Sequence, residues 1–121
     1  DHYFKTLSNC KMGLNLSRGE AIKYYSSDRI TQIVGNGLVC LIDEKTKYSN
    51  FFNNKEMVFY KNINDLSEKI QKISSDEKLR KKIALNGKKK YMKYFNSNTV
   101  AQYIIDKTLG FKSKKFYLWE R

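Results

Sequence analysis

The sequence predicts an α/β fold in which about three parallel strands are flanked by helices, and three observations carry that expectation. Short, nearly continuous apolar runs at 12–16, 38–42 and 57–60 suit strands covered on both faces. Stretches with helical periodicity separate and follow them. Gly, Ser and Asn clusters mark the changes between the two patterns, giving the order β-α-β-α-β with further helices behind it.

From His2 to Lys11, Tyr3, Phe4 and Leu7 recur at helical spacing, as in the tail of a helix packed on a sheet. Met12 to Leu16 is the first strand, and Ser17, Arg18 and Gly19 end it as a loop. Ser26, Ser27 and Asp28 are N-cap residues for a short helix whose apolar face is Ile30, Ile33 and Val34. Gly35 and Gly37, on either side of Asn36, stop that helix. Leu38 to Ile42 is the second strand; Asp43, Glu44 and an aromatic segment with Tyr48, Phe51 and Phe52 lead to the third, Met57 to Tyr60.

Asn64 and Asp65 suit the cap of the next helix, in which Leu66, Ile70 and Ile73 recur at i, i+4 and i+7. Ser75 and Asp76 begin another. Its stripe is Leu79, Ile83, Gly87 and Tyr91, with Arg80, Lys81, Lys82, Lys88, Lys89 and Lys93 on the remaining faces. A last helix, from about Ser97 to Leu109, is expected to turn Val100, Ile104 and Ile105 inward, and Gly110 ends it before a tail that carries the only Trp. With no Pro, no repeat and no low-complexity linker, residues 1–121 are expected to form a single α/β domain.

The formal charge of +12 is uneven: residues 1–60 carry 8 basic and 6 acidic side chains (+2), and residues 61–121 carry 16 and 6 (+10). Such a balance suits nucleic acid, an anionic membrane surface or phosphorylated substrates, and equally a lysine-rich composition that only keeps helices soluble. Cys10 and Cys40 lie far apart with no CxxC spacing, and His2 is the single histidine, so neither a metal site nor a disulfide framework is expected. No run approaches the roughly 18 apolar residues of a membrane span, and no signal-peptide pattern opens the chain. A cytoplasmic location is expected, free or peripheral to the inner face of the membrane. The helical pattern already in progress at Asp1 suggests a fragment of a longer protein.

Chemistry concentrates in the loop SRGEAIKYYSSD after the first strand. Gly19 permits close approach of a ligand, Ser17, Ser26 and Ser27 supply hydroxyls, and Arg18, Lys23 and Arg29 are cations able to hold a diphosphate. The alternative is an ordinary exposed loop whose hydroxyls cap a helix and whose cations are solvated. Tyr24 and Tyr25 offer one ring to stack on a base or sugar and one to pack beneath the loop, or two packed rings. Asp43 and Glu44 can reach a ligand hydroxyl or simply cap the following turn. A Ser-His-Asp hydrolase is not expected, since His2 is the only histidine and no serine has a G-x-S-x-G setting, and neither a Walker sequence nor G-x-G-x-x-G is present. Tyr91, Tyr94 and Phe95 interleave with the lysines of residues 80–93 but continue an apolar stripe, which favours core packing over base stacking and makes nucleic acid an unfavoured partner.

The segment from Asn15 to Asp43, with R-x-x-x-x-x-G-x-G at Arg29 to Gly37 and then an apolar strand ending in Asp, resembles the carboxyl-terminal part of group 1 glycosyltransferases of the GT-B fold. The stretch DLSEKIQKISSDEKLRKKIALNGKKKYMKYFN is similar to that family's helix, short spacer and basic helix, so the resemblance covers about residues 5–107. It implies a Rossmann-like partial domain, the nucleotide-sugar-binding portion of an enzyme that transfers a sugar from a nucleotide diphosphate donor to a glycan, lipid or protein acceptor. It further implies catalysis without a bound metal or cofactor, in a cleft against an N-terminal Rossmann-like domain of the same protein, without which the fragment is inactive. The residues so implied to bind donor are Ser17, Arg18, Gly19, Lys23, Tyr24, Ser26, Ser27, Arg29 and Gln32, with catalytic residues unknown. Tyr24 and Gln32 stand where the family often has two glutamates, the second of which meets the donor ribose. The alternatives are a non-catalytic α/β partner-binding module and a basic module for nucleic acid or a membrane surface.

Overall fold

The structure is a computed structural model that describes residues 2–113 and 115–120. The expectation of a helix already under way at Asp1 falls outside them. Helix α1 (His2–Asn9) leads into β1 (Met12–Asn15), α2 (Arg29–Gly35) and β2 (Val39–Asp43). Two single-turn 3-10 helices, Glu44–Thr46 and Tyr48–Asn50, precede β3 (Val58–Tyr60), and α3 (Ile63–Ser75), α4 (Glu77–Tyr94) and α5 (Ser97–Thr108) follow. The second crossover therefore runs through 3-10 turns, where the sequence pattern suggested a helical segment.

All strand pairs are parallel, in the spatial order β1-β2-β3, with Asn15 beside Ile42 and Asp43 beside Tyr60. This is a Rossmann-like α/β partial sheet. Strand β2 lies between the other two, and alternate residues enter two cores: Cys40 and Ile42 pack with Ile30, Ile33 and Val34 of α2, whereas Val39 and Leu41 pack with Leu66, Ile73, Ile83 and Ala84 of α3 and α4. Burial on both faces is why the run reads as continuously apolar.

Helix α2 ends in a Schellman motif. The Gly37 amide donates to the Val34 carbonyl and the Leu38 amide to the Ile33 carbonyl, with Gly37 at φ 76°, so the chain reverses straight into β2. Where Gly87 of α4 passes the turn before β3, a Cβ would stand 2.3 Å from the Glu56 carbonyl oxygen, so any larger residue would push the helix off the turn.

Four local expectations are corrected. Asn62 caps α3 by accepting from the Asp65 amide at 3.0 Å, two residues ahead of the expected Asn64, because the chain leaves β3 directly into the cap. In α1, Tyr3 and Phe4 are exposed and Leu7 alone packs against the core. In α5, Val100, Ile104 and Ile105 face outward. The face that α5 covers is polar and aromatic: the Tyr117 hydroxyl donates to Asp106 Oδ2 at 2.9 Å, Gln102 donates to Asp106 Oδ1 at 2.7 Å, and Tyr103 meets Tyr117 and Trp119 edge-on. Fourth, of Ser26, Ser27 and Asp28 it is Asp28 that occupies the N-cap of α2, as one of the three expected residues, but its side chain makes no capping hydrogen bond and neither serine caps the helix. Among the described residues, no helix is long and apolar enough to cross a membrane.

Candidate functional site

A parallel sheet aims its strand carboxyl ends, and the loops that leave them, at one edge. Here that edge is formed by Asn15, Asp43 and Tyr60, and the loop 16–28 leaves it after β1.

The loop is fastened from several sides. Asn15, buried at the end of β1, accepts from Ser27 Oγ at 3.1 Å, and Arg29 Nη1 donates to the Leu16 carbonyl at 3.2 Å, so both ends of the loop are tied to the same strand terminus. The Tyr24 amide donates to the Thr46 carbonyl at 2.7 Å, and the Tyr24 hydroxyl accepts from Asn50 Nδ2 at 2.8 Å. Tyr48 donates to Ser26 Oγ at 2.8 Å, and burial pushes the Tyr48 phenol above its ordinary pKa, keeping it a neutral donor. The segment after β2 thus holds the loop after β1.

Tyr24 is the strained residue of this loop, at φ 62°. A non-glycine residue in the left-handed region persists only when its surroundings fix it, and such residues concentrate at functional sites. Its ring lies 5.0 Å from that of Phe51, and the Lys23 ammonium sits 4.8 Å from the Tyr24 centroid. Tyr24, Asn50, Phe51 and Trp119 line a cavity of about 290 Å³.

Of the residues the sequence singled out, Tyr24, Ser26, Ser27 and Arg29 are gathered by these bonds at the strand ends. Arg18, Gly19 and Lys23 lie in the same loop and are exposed, Gly19 at φ 76° with open space where a Cβ would stand, and Ser17 is half-buried. Gln32 stands apart: its Oε1 accepts from the Tyr3 hydroxyl, which ties it to α1. The serine hydroxyls expected to cap α2 are engaged across the site instead, and the Ile30 and Thr31 amides reach the Ser27 and Asp28 carbonyls. Asp43 accepts from the Lys45 amide at 2.8 Å through Oδ1 and so caps the turn that follows β2.

Asn15, Thr46, Tyr48 and Asn50 were not singled out by sequence reasoning. Asn15 carried a signal, being the polar residue that closes an apolar strand. The other three support the loop from 22 or more residues away, and no local pattern announces such contacts.

Comparison with known families decides the class. A family model described as glycosyl transferase-like matches residues 1–106. The chain belongs to this glycosyl transferase-like family. Neither a curated protein nor a solved structure matches it. The match spans α1 through most of α5, so the glycosyl transferase-like domain contains the sheet, the 16–28 loop and the lysine-rich helix together.

Proposed function

We propose that this glycosyltransferase-type domain binds the nucleotide diphosphate sugar donor, with the loop from Ser17 to Arg29 as the binding segment. The observation that carries the reading is the fastening of that loop to the carboxyl end of β1 through Asn15–Ser27 and Leu16–Arg29. A preorganised loop at a strand terminus is where an open α/β sheet takes its ligand. Arg18 and Lys23 offset the diphosphate charge. Ser26, whose oxygen already accepts from Tyr48, keeps its own hydrogen to donate to phosphate or sugar, and Ser27, which donates to Asn15, keeps lone pairs to accept. Tyr24 offers a ring face to the base or sugar, and Gln32 meets the ribose once it exchanges Tyr3 for the ligand.

The acceptor is a glycan, lipid or protein, held largely by a second Rossmann-like domain of the intact protein. Transfer takes place in the cytoplasm, needs no bound metal, and requires both halves. Isothermal titration of the intact protein with nucleoside diphosphates tests the site: Arg18→Ala and Lys23→Ala each weaken binding at least tenfold, and unchanged affinity in both rejects the assignment.

One observation favours a second reading. With Tyr24 and Gln32 in the two glutamate positions and the Gln32 carboxamide engaged by Tyr3, the domain suits a non-catalytic binding module. Transfer of a radiolabelled sugar by the intact protein separates the two, since a binding module turns over no donor.

A further inference from the structure

Helix α4 carries a face that is largely exposed, although the Met92 methyl end lies near Gly35 of α2. Ile83, Ala84 and Gly87 are buried, and Tyr91 stacks on Phe95 and Phe52. On the opposite side Lys78, Lys81, Lys82, Leu85, Lys88, Lys89 and Met92 are all exposed. At 3.6 residues per turn these seven fall within about a third of the helix circumference. Leu85 and Met92, seven residues apart and 52% and 47% exposed, form the centre line of that face. Lys81 and Lys88 flank it on one side, Lys78, Lys82 and Lys89 on the other.

The charge is almost unopposed. Glu77 is the only acidic residue of α4, and it pairs with Lys81 at 2.6 Å. Beside the helix lies a cavity of about 410 Å³ lined by Lys11, from the turn before β1, together with Lys81, Lys88, Leu85 and the Glu77 that pairs with Lys81. Cations from two separate segments thus converge beside the exposed leucine.

We propose that this face of α4 docks on an anionic phospholipid surface, with the lysines at the headgroup phosphates and Leu85 and Met92 entering the interface. An apolar line bordered by lysines is what an interfacial helix presents to lipid, where hydrophobic burial and attraction to anionic headgroups act together. A partner that wraps the helix, as calmodulin-type receptors do, is excluded because Ile83, Ala84 and Gly87 are locked into the core. A nucleic acid would find no ring on this face to stack on a base, and would leave Leu85 and Met92 against a polar backbone.

Sedimentation of the intact protein with phosphatidylcholine vesicles, with and without phosphatidylglycerol, is the test. The protein partitions onto the anionic vesicles and not onto phosphatidylcholine alone. Lys81→Glu, Lys88→Glu and Lys89→Glu together lower partitioning by at least roughly a hundredfold, since each lysine near an anionic surface contributes about fivefold and each glutamate adds repulsion. Three reversals placed elsewhere, Lys45→Glu, Lys61→Glu and Lys112→Glu, match the change in net charge and lower it far less. Leu85→Ser with Met92→Ser, folded by circular dichroism, weakens partitioning at least threefold at constant charge. Equal loss from the two sets of reversals, full retention by the Leu85 and Met92 variant, equal binding to phosphatidylcholine alone, or preferential binding of a DNA duplex that strips the protein from vesicles would each overturn the proposal.

Discussion

Ser27 Oγ donates to Asn15 Oδ1 across 3.1 Å, from the end of the 16–28 loop to the end of the first strand. Asn15 is 3% exposed, so its side-chain oxygen has no ready substitute from solvent if Ser27 is removed.

Ser27→Ala is therefore expected to cost about 1–2 kcal/mol, the penalty of leaving a buried acceptor unpaired. In a double-mutant cycle with Asn15→Ala, read by urea denaturation, the two sites couple by about 1 kcal/mol. Additive effects would show that the bond does not hold the loop.

Two glycines separate close packing from open space. Gly87→Ala pushes a Cβ to 2.3 Å from a backbone oxygen, and the resulting shift of α4 costs about 1–3 kcal/mol, more than the helix propensity gained. Gly35→Ala meets only the Met92 methyl at 3.6 Å, and Gly35 is not among the positive-φ residues, so the loss of unfolded-state freedom stabilises by about 0.5 kcal/mol. Thermal denaturation of the pair should show shifts of opposite sign.

Burial pushes the Cys40 thiol up to about 12 from an ordinary 9.0. With the folded pKa above the unfolded one, its contribution to stability is full below pH 9 and is lost as pH rises toward 12. Cys40→Ala should flatten that part of the alkaline stability profile. A thiol reagent at pH 8 should label exposed Cys10 in the native protein and both cysteines in denaturant, which native labelling of Cys40 would contradict.

The Gln102 amide, then Ser113 and the Tyr117 hydroxyl, hold the Asp106 carboxyl below its ordinary value. A depressed folded pKa stabilises above the unfolded value, and this stabilisation is lost as pH falls below about 4 through the folded one. Tyr117 stacks on Trp119, so emission from the single Trp should report release of the tail in acid. Asp106→Asn removes that acid transition while neutral-pH emission stays as in the parent protein.

The strands, their order along the chain and the α2–β2 turn were legible in the sequence because each rests on local chemistry: apolar runs buried on both faces, and a glycine where the Schellman turn needs positive φ. The outward stripe of α5 was not. Periodicity shows that Val100 and Ile104 share a side, but Tyr117 and Asp106 decide which side is covered, and that bond spans separate segments. The site divides in the same way. The Ser17–Arg29 loop announced itself by composition, whereas its supports Tyr48, Asn50 and Thr46 entered only through the fold. The serines looked like helix caps because a capping serine and a serine bonded across a site have the same local sequence.

Hydrogen exchange of the intact protein with and without saturating nucleoside diphosphate reads out donor binding by the 16–28 loop. Bound donor is expected to add protection in the peptides covering residues 16–29 and 43–50 and to leave the peptides of α4 unchanged. Protection confined to α4, or none in the loop at saturation, would contradict it.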